Sequence, residues 1–184
     1  MKKFFLPLIV FALFVLPGKA QNTFNKGDKV VNLSVGFGNS LYSGAGYKTT
    51  IPAIAASYEV GIMDNLFDEN SSLGVGGYLG YTGAEFNYGP GYGWKYSSVI
   101  IGARGALHYQ FIDNLDSYTG LMLGYDIVTT KTFGEGAFDA SASGSGLAFS
   151  WFLGGRYYLT ERIAGLLELG FGVAYVNVGV AIKL

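Results

Sequence analysis

Hydrophobic residues alternate with small or polar residues through most of this chain, which is the pattern of β-strands whose two faces meet different surroundings. Eight segments carry the alternation, and they lie within residues 31–37, 52–62, 73–81, 99–109, 119–127, 149–159, 167–171 and 176–184. One parity of these segments holds 40 positions, and none of the 40 carries a charge. Eight strands with one wholly uncharged face predict an all-β protein.

The opposite parity is made of small residues and a few charges. More than half of its positions are Gly, Ala or Ser, and its six charged residues are Glu59, Arg104, Asp126, Arg156, Glu168 and Lys183. Small side chains suit the narrow interior of a closed eight-stranded barrel, whereas a water-facing sheet normally carries many Lys, Glu and Thr. We therefore predict an eight-stranded antiparallel up-and-down transmembrane β-barrel whose uncharged face meets lipid. The alternative is a soluble, lipocalin-like barrel with the apolar parity inside.

The connections between the segments are alternately short and long. Short turns are expected at 64–71, 112–116 and 160–163; longer connections are expected at 39–50, 83–94 and 130–146, with a tight fourth one near 173–174. Transmembrane barrels have short turns on one side of the membrane and longer loops on the other. The order of the connections therefore places both chain termini on the side of the short turns.

Residues 1–20 have the three parts of a secretory signal peptide. Lys2 and Lys3 are positively charged, residues 4–16 are apolar, and Gly18-Lys19-Ala20 offers the small-x-small pattern that signal peptidase reads. The apolar stretch is too short to cross a hydrocarbon core as a helix. We predict an exported protein that is cleaved after Ala20 and has a barrel domain over residues 21–184. An uncleaved membrane anchor is the alternative.

Composition excludes several classes of function. The 184 residues include 12 basic and 13 acidic ones, and this balance provides no excess of positive charge for binding nucleic acid. The absence of Cys excludes disulfides, thiolate metal sites and a Cys nucleophile. The acidic residues lack the spacing of a calcium-binding loop. We expect no cofactor, no metal and no nucleic-acid partner.

With its signal peptide, its eight strands and its asymmetric connections, the chain resembles the small eight-stranded outer-membrane barrels of Gram-negative bacteria, the OmpX/OmpA-transmembrane type. The resemblance covers residues 29–184. Its last segment, residues 176–184, looks like the C-terminal signal that the barrel-assembly machinery recognises, although the family commonly ends in Phe and this chain ends in Leu184. The resemblance implies a monomer in the cell outer membrane, inserted by that machinery and surrounded by outer-membrane lipid and lipopolysaccharide.

The six inward charges are predicted to form a network in the lumen. Arg156 and Glu168 are equidistant from the centre of the turn at 160–163, which predicts an ion pair across that hairpin, and Arg104 and Asp126 occupy similar positions about the turn at 112–116. Such a network is either a satisfied polar core or a gate or proton path through the barrel. His108, the only histidine, is expected to be a core or rim residue rather than the base of a lipid-modifying enzyme.

Aromatic residues of the long connections are the remaining candidates: Tyr42, Tyr47, Tyr88, Tyr92, Trp94, Phe133 and Phe138. Such side chains either bind a partner surface or a glycan, or rest among lipid headgroups. We expect a structural or surface-interaction role through extracellular loops, with an unknown extracellular partner and no enzymatic activity. A narrow, porin-like channel for small or hydrophobic molecules is the alternative, and a lipid-modifying enzyme is the third possibility.

Overall fold

The computed structural model describes residues 23–89, 91–134, 141–142 and 144–184. The predicted signal peptide, the first residues of the mature chain and Phe138 lie outside the described residues. The described part contains nine strands: β1 (Lys29–Asn39), β2 (Tyr47–Asp64), β3 (Ser71–Gly89), β4 (Tyr92–Ile112), β5 (Leu115–Phe133), β6 (Ser141–Ala142), β7 (Gly146–Tyr158), β8 (Ile163–Phe171) and β9 (Ala174–Lys183).

Eight of these strands form a closed barrel. Each pairs antiparallel with the next, β5 pairs with β7, and β9 returns to pair with β1, so that the barrel is complete without a free edge. The two-residue strand β6 pairs only with residues 130–131 of β5. The predicted eight-stranded antiparallel up-and-down barrel is confirmed. No helix in the part of the chain that the structure describes is long and apolar enough to cross a membrane.

The two ends of the barrel differ. One end, the turn end, holds the short connections β2–β3, β4–β5 and β7–β8 together with the start of β1 and the end of β9, as the sequence predicts. At the other end, the projecting end, strands β2 to β5 run beyond their neighbours: they have 18, 19, 21 and 19 residues, against 11, 13, 9 and 10 in β1, β7, β8 and β9. Strands β2 to β5 therefore continue past the barrel rim as a four-stranded projecting sheet.

This extension corrects the prediction of long loops. Residues 83–94, expected to form a loop, are almost entirely strand, because β3 runs to Gly89 and β4 begins at Tyr92. Likewise β2 begins at Tyr47 and β5 continues to Phe133. The apolar residues change faces at the rim: Tyr81 faces outward, whereas Phe86 lies on the inner face and Glu85 on the outer one. Above the lipid, the outer surface of a strand meets water. The pattern of outward apolar residues therefore ends at the rim, although the strands themselves continue.

The outer wall of the barrel is apolar. Leu79, Leu121 and Leu123 are 53%, 53% and 62% exposed, and the other large residues of their parity are exposed or partly exposed. The opposite parity is buried, with Ala53 and Ala106 as examples. These exposures confirm which face is outside, and an uncharged apolar wall is the surface of a barrel that meets lipid rather than water.

Glycines on the inner face make room for large side chains. A Cβ on Gly120 would lie 2.6 Å from the Phe152 ring, and one on Gly154 would lie 2.6 Å from the Tyr118 ring. Phe152 and Tyr118 are each 2% exposed. These two rings therefore take up space in the narrow interior that side chains at the two glycines would otherwise need.

Candidate functional site

Four charged side chains form a closed ring inside the turn-end half of the barrel. They are Glu59 on β2, His108 on β4, Asp116 on β5 and Arg156 on β7, and all four are buried. His108 places Nε2 2.8 Å from Oε1 of Glu59 and Nδ1 2.8 Å from Oδ1 of Asp116. Arg156 donates to the second oxygen of each carboxylate, to Asp116 Oδ2 at 3.1 Å and to Glu59 Oε2. Every member of the ring therefore contacts two others.

This geometry favours the protonated form of His108. Both ring nitrogens face carboxyl oxygens, and ionised carboxylates only accept hydrogen bonds, so an imidazolium that donates from both nitrogens matches these two contacts. Two cations then face two carboxylates, and the ring as a whole is neutral. Charge balance of this kind is what a buried ionic group requires.

Phe24 covers the ring from the turn end. It precedes β1, is 3% exposed, and stacks on His108 with ring centroids 4.1 Å apart. The carbonyl oxygen of Phe24 accepts a hydrogen bond of 3.0 Å from Ser72 Oγ, and the Thr23 backbone N–H donates to Gln110 Oε1 at 2.7 Å. The segment that leads into β1 thus closes this end of the interior.

A second ion pair lies deeper in the barrel. Arg104 Nη2 donates to Glu168 Oε2 at 2.6 Å, and the Tyr118 hydroxyl donates to the same oxygen at 3.1 Å. The Arg104 guanidinium also lies 3.8 Å from the centroid of the Phe152 ring. Aromatic side chains therefore lie between this ion pair and the ring of four charged residues described above.

The predicted pairing of the inward charges is wrong. Arg156 is paired in register with Leu166, and Glu168 is paired with Gly154. The β7–β8 hairpin is therefore centred on residue 161, whereas a pairing of Arg156 with Glu168 would need a centre at residue 162. A shift of one residue in a turn centre moves each cross-strand partner by two positions. Arg104 is likewise opposite Met122 and not Asp126. The carboxylates of Glu59 and Glu168 instead meet their cations across the lumen, from strands that do not pair, whereas Asp116 lies directly opposite Arg156 on the neighbouring strands β5 and β7.

Two members of the predicted network lie outside it. Asp126 is near the projecting end, where it accepts a hydrogen bond of 3.2 Å from Ser98 Oγ. Lys183 is at the turn-end rim and pairs with Asp28 at 2.7 Å. Sequence reasoning also missed Asp116, which was assigned to a turn although it lies on the inward parity of β5, and it considered His108 only by itself.

Apolar side chains fill the barrel between these charges and the projecting end. Ile100, Met122 and Phe152 are at most 2% exposed, and they pack together with Tyr118 and partly buried Leu41. This packing argues against the alternative of a channel. Both imidazole nitrogens of His108 are hydrogen-bonded to carboxylates, so this side chain has no nitrogen left to activate a nucleophile. No group of three or more His, Asp or Glu within the described ranges is arranged to hold a metal ion.

The inner surface of the projecting sheet carries a cluster of aromatic side chains, which we call the aromatic face: Tyr42, Tyr47, Phe86, Tyr88, Trp94 and Tyr96. Ring centroids are 4.9 Å apart for Tyr47 and Phe86, 5.0 Å for Phe86 and Tyr88, and 6.0 Å for Tyr47 and Tyr96. The described residues that share this surface are uncharged as well: Thr49, Ala84, Thr130 and Thr132. The aromatic face is therefore neutral, with phenol groups among its rings.

Tyr42 joins the aromatic face to the barrel interior. It lies in the β1–β2 connection and stacks on Tyr96 at 5.1 Å, while its hydroxyl bonds Ser98 Oγ at 2.7 Å. Asn39 Oδ1 accepts the backbone N–H groups of Leu41 and Tyr42 at 3.0 and 3.1 Å, which holds the connection over the barrel mouth. Burial raises the pKa of the Tyr42 hydroxyl above its ordinary value. This tyrosine is thus a neutral hydrogen-bonding group at the base of the aromatic face.

The predicted loop aromatics are therefore mostly strand residues. Of the six that the structure describes, only Tyr42 lies in a connection, and the other five lie on strands: Tyr47 on β2, Tyr88 on β3, Tyr92 and Trp94 on β4, and Phe133 on β5. Phe133 belongs to the outer surface of the sheet, under the ammonium of Lys95 at 5.2 Å from the ring centroid. Sequence reasoning missed Phe86 and Tyr96 as members of one surface, because their shared face is visible only once the strand register is known.

Fold and interior together define a closed transmembrane barrel of eight strands with a filled, charge-balanced core. No family model matches the sequence, and no curated protein matches it. Solved structures do match the fold. Ail of Yersinia pestis is 11% identical with a TM-score of 0.48, over 86% of this chain and 95% of that one.

Two Pseudomonas aeruginosa proteins are also similar. The N-terminal β-barrel domain of OprF is 14% identical, with a TM-score of 0.46 over 86% of this chain and 98% of that one. The outer-membrane protein OprG is 12% identical, with a TM-score of 0.43 over 89% of this chain and 99% of that one. By their names these are an attachment invasion locus protein, a β-barrel domain and an outer-membrane protein, and nothing of their activities follows for this chain.

Proposed function

We propose that this protein is an outer-membrane barrel that recognises an extracellular ligand through the aromatic face. The barrel is the anchor, the turn end is periplasmic, and the projecting sheet stands outside the cell. Short turns on the periplasmic side and longer structures outside are the usual arrangement of such barrels. The observation that carries the proposal is the aromatic face itself, because it lies beyond the lipid-facing wall.

A cluster of partly exposed aromatic residues is typical of a binding surface. Tyr88 and Tyr47 are 61% and 37% exposed, on a surface that points over the barrel mouth rather than into lipid. The sheet that carries them is continuous with the barrel, so the rings are held in place before a ligand arrives. Rigid aromatic anchors of this kind dominate the binding energy of many recognition surfaces.

The chemistry of the aromatic face favours a neutral saccharide. A sugar ring has an apolar C–H face, which stacks on an aromatic ring, and hydroxyl groups at its edge, which bond to phenol and indole groups. The absence of charged side chains among the described residues of this face disfavours an acidic or basic ligand. Tyr42, Tyr47, Tyr88, Tyr96 and Trp94 supply both kinds of contact.

The test is direct binding of neutral and acidic oligosaccharides to the full-length protein in lipid nanodiscs, followed by calorimetry and by the fluorescence of Trp94. We expect the double variant Tyr47→Ala/Tyr88→Ala to bind a neutral oligosaccharide about tenfold or more weakly than the unchanged protein. The matched control is Phe67→Ala, which removes a ring that is 76% exposed at the turn end.

Two results would count against the proposal. One is the absence of binding to every neutral saccharide tested. The other is an equal loss of affinity in the control, which would assign the effect to general damage. Retention of the heat-modifiable mobility of a folded barrel on unboiled gels shows that each variant is folded.

A further inference from the structure

A row of lysines crosses the outer surface of the projecting sheet. Lys48 on β2 is opposite Glu85 on β3, Glu85 is opposite Lys95 on β4, and Lys95 is opposite Lys131 on β5. Residues directly opposite in neighbouring antiparallel strands share a face and have Cβ atoms about 5 Å apart. The three lysines, which we call the lysine row, therefore lie side by side with a single carboxylate between them.

The described residues do not neutralise the lysine row. Three lysines and one glutamate leave a net charge of +2, and the ion pair of Glu85 is with Lys48, at 3.5 Å. Lys95 and Lys131 are both exposed, and neither has an ion pair to a described residue. Like charges directly opposite in a sheet destabilise it. An external anion between the two ammonium groups would remove that repulsion.

The row lies just above the lipid-facing wall. On β3 the last large apolar outward residue is Tyr81, four positions before Glu85, and on β4 Val99 stands four positions after Lys95. Four residues span about 13 Å along a strand, or about 10 Å along the barrel axis at the usual tilt. Tyr81 and Tyr125 are exposed aromatic residues on the outer wall near this end of the barrel, and Tyr is enriched at the membrane–water interface, so the lysine row stands at the height of lipid headgroups.

We propose that the lysine row binds phosphate groups of the outer-leaflet lipids that surround the barrel, with the Lys95–Lys131 pair as its centre. Lysine is a point charge on a flexible stem, which suits a phosphate presented by a mobile lipid. This proposal rests on the membrane placement proposed above but not on the aromatic face, which is on the opposite surface of the same sheet. The two proposals can therefore fail separately.

The experiment measures retention of lipid A by the full-length protein in detergent, by native mass spectrometry and by titration of a fluorescent lipid A. We expect Lys95→Gln/Lys131→Gln to weaken binding about tenfold or more, and added salt to weaken binding to the unchanged protein. The matched control is Lys26→Gln/Lys29→Gln, which removes two exposed lysines at the turn end and should bind as the unchanged protein does.

Three outcomes would overturn the proposal. The first is equal binding by Lys95→Gln/Lys131→Gln and the unchanged protein. The second is equal binding of lipid A and of lipid A stripped of its phosphates, which would make the acyl chains the only ligand. The third is competition by inorganic phosphate at the same concentration as lipid A, which would assign the row to free phosphate. Heat-modifiable mobility confirms that both variants are folded, and saccharide binding should be unchanged in them.

Discussion

Removal of Arg156 is the sharpest test of the buried charge ring. Arg156 is fully buried, and its guanidinium contacts Glu59 and Asp116 at the same time. Arg156→Met keeps an unbranched side chain of similar length and deletes the charge. The guanidinium also lies 4.7 Å from the centroid of the Tyr118 ring, so the substitution removes a cation–π contact as well.

The magnitude follows from the charge balance of the interior. The described interior holds three cations, Arg104, Arg156 and protonated His108, against three carboxylates, Glu59, Asp116 and Glu168. Arg156→Met leaves one carboxylate in excess, away from water. We expect the free energy of unfolding to fall by about 3–5 kcal/mol, the usual cost of breaking a buried ion pair from one side. Lys183→Met, which breaks the partly exposed pair with Asp28, should cost at most about 1 kcal/mol.

The assay is reversible urea unfolding in lipid vesicles, followed by tryptophan fluorescence and by gel mobility. The decisive comparison is the double variant Arg156→Met/Glu59→Gln, in which protonated His108 and Asp116 again balance. If the charge argument is right, adding Glu59→Gln to Arg156→Met restores stability, with a coupling energy of about 2 kcal/mol or more. A double variant whose loss equals the sum of the single losses would refute the reasoning, as would a single variant that loses less than about 1 kcal/mol.

Two further substitutions test the inner and outer faces of the wall. Gly154→Ala should lower the free energy of unfolding by about 1–3 kcal/mol, because the new Cβ would lie 2.6 Å from the buried Tyr118 ring; Gly165→Ala, whose Cβ meets nothing within 4 Å, should leave urea unfolding nearly unchanged. Leu123→Arg should cost about 2–4 kcal/mol in vesicles, because Leu123 faces lipid. A Leu123→Arg protein as stable as the unchanged one would contradict the lipid-facing wall.

The barrel could be predicted from the sequence because one physical constraint acts at every second position. A lipid-facing position excludes charge wherever it occurs, so Leu121 and Leu123 show their orientation without knowledge of their neighbours. Beside them, Gly120 is a small residue of the kind that fills the inner face, and Met122 is buried on the same side. Because contact with lipid acts on each position separately, it produces an alternation that can be recognised in a short stretch of sequence.

The projecting sheet is hard to predict from the sequence, because the apolar residues move from the outer face of the strands to the inner face at the rim. Below it, apolar residues of β3 such as Leu79 point outward, whereas above it Phe86 points inward and Glu85 outward. An alternation that reverses its phase looks like the end of a strand. The reversal itself is the usable signal: residues 84–88 still alternate, with the apolar side chains on the parity that faces the interior lower down.

The ion pairs of Glu59 and Glu168 could not be predicted, because they depend on distances across the lumen. Glu59 and Arg156 are 97 residues apart and lie on strands that do not pair, yet their side chains meet. Hairpin symmetry was the only available guide, and it fails when a turn centre moves by one residue. The inward residues do obey a constraint on their total charge, because an interior without water must be neutral overall. Asp126 and Lys183 lie near an open end and do not belong to that total, whereas Asp116 and His108 are buried and do. Depth along the barrel axis, rather than parity alone, therefore decides which charges must balance.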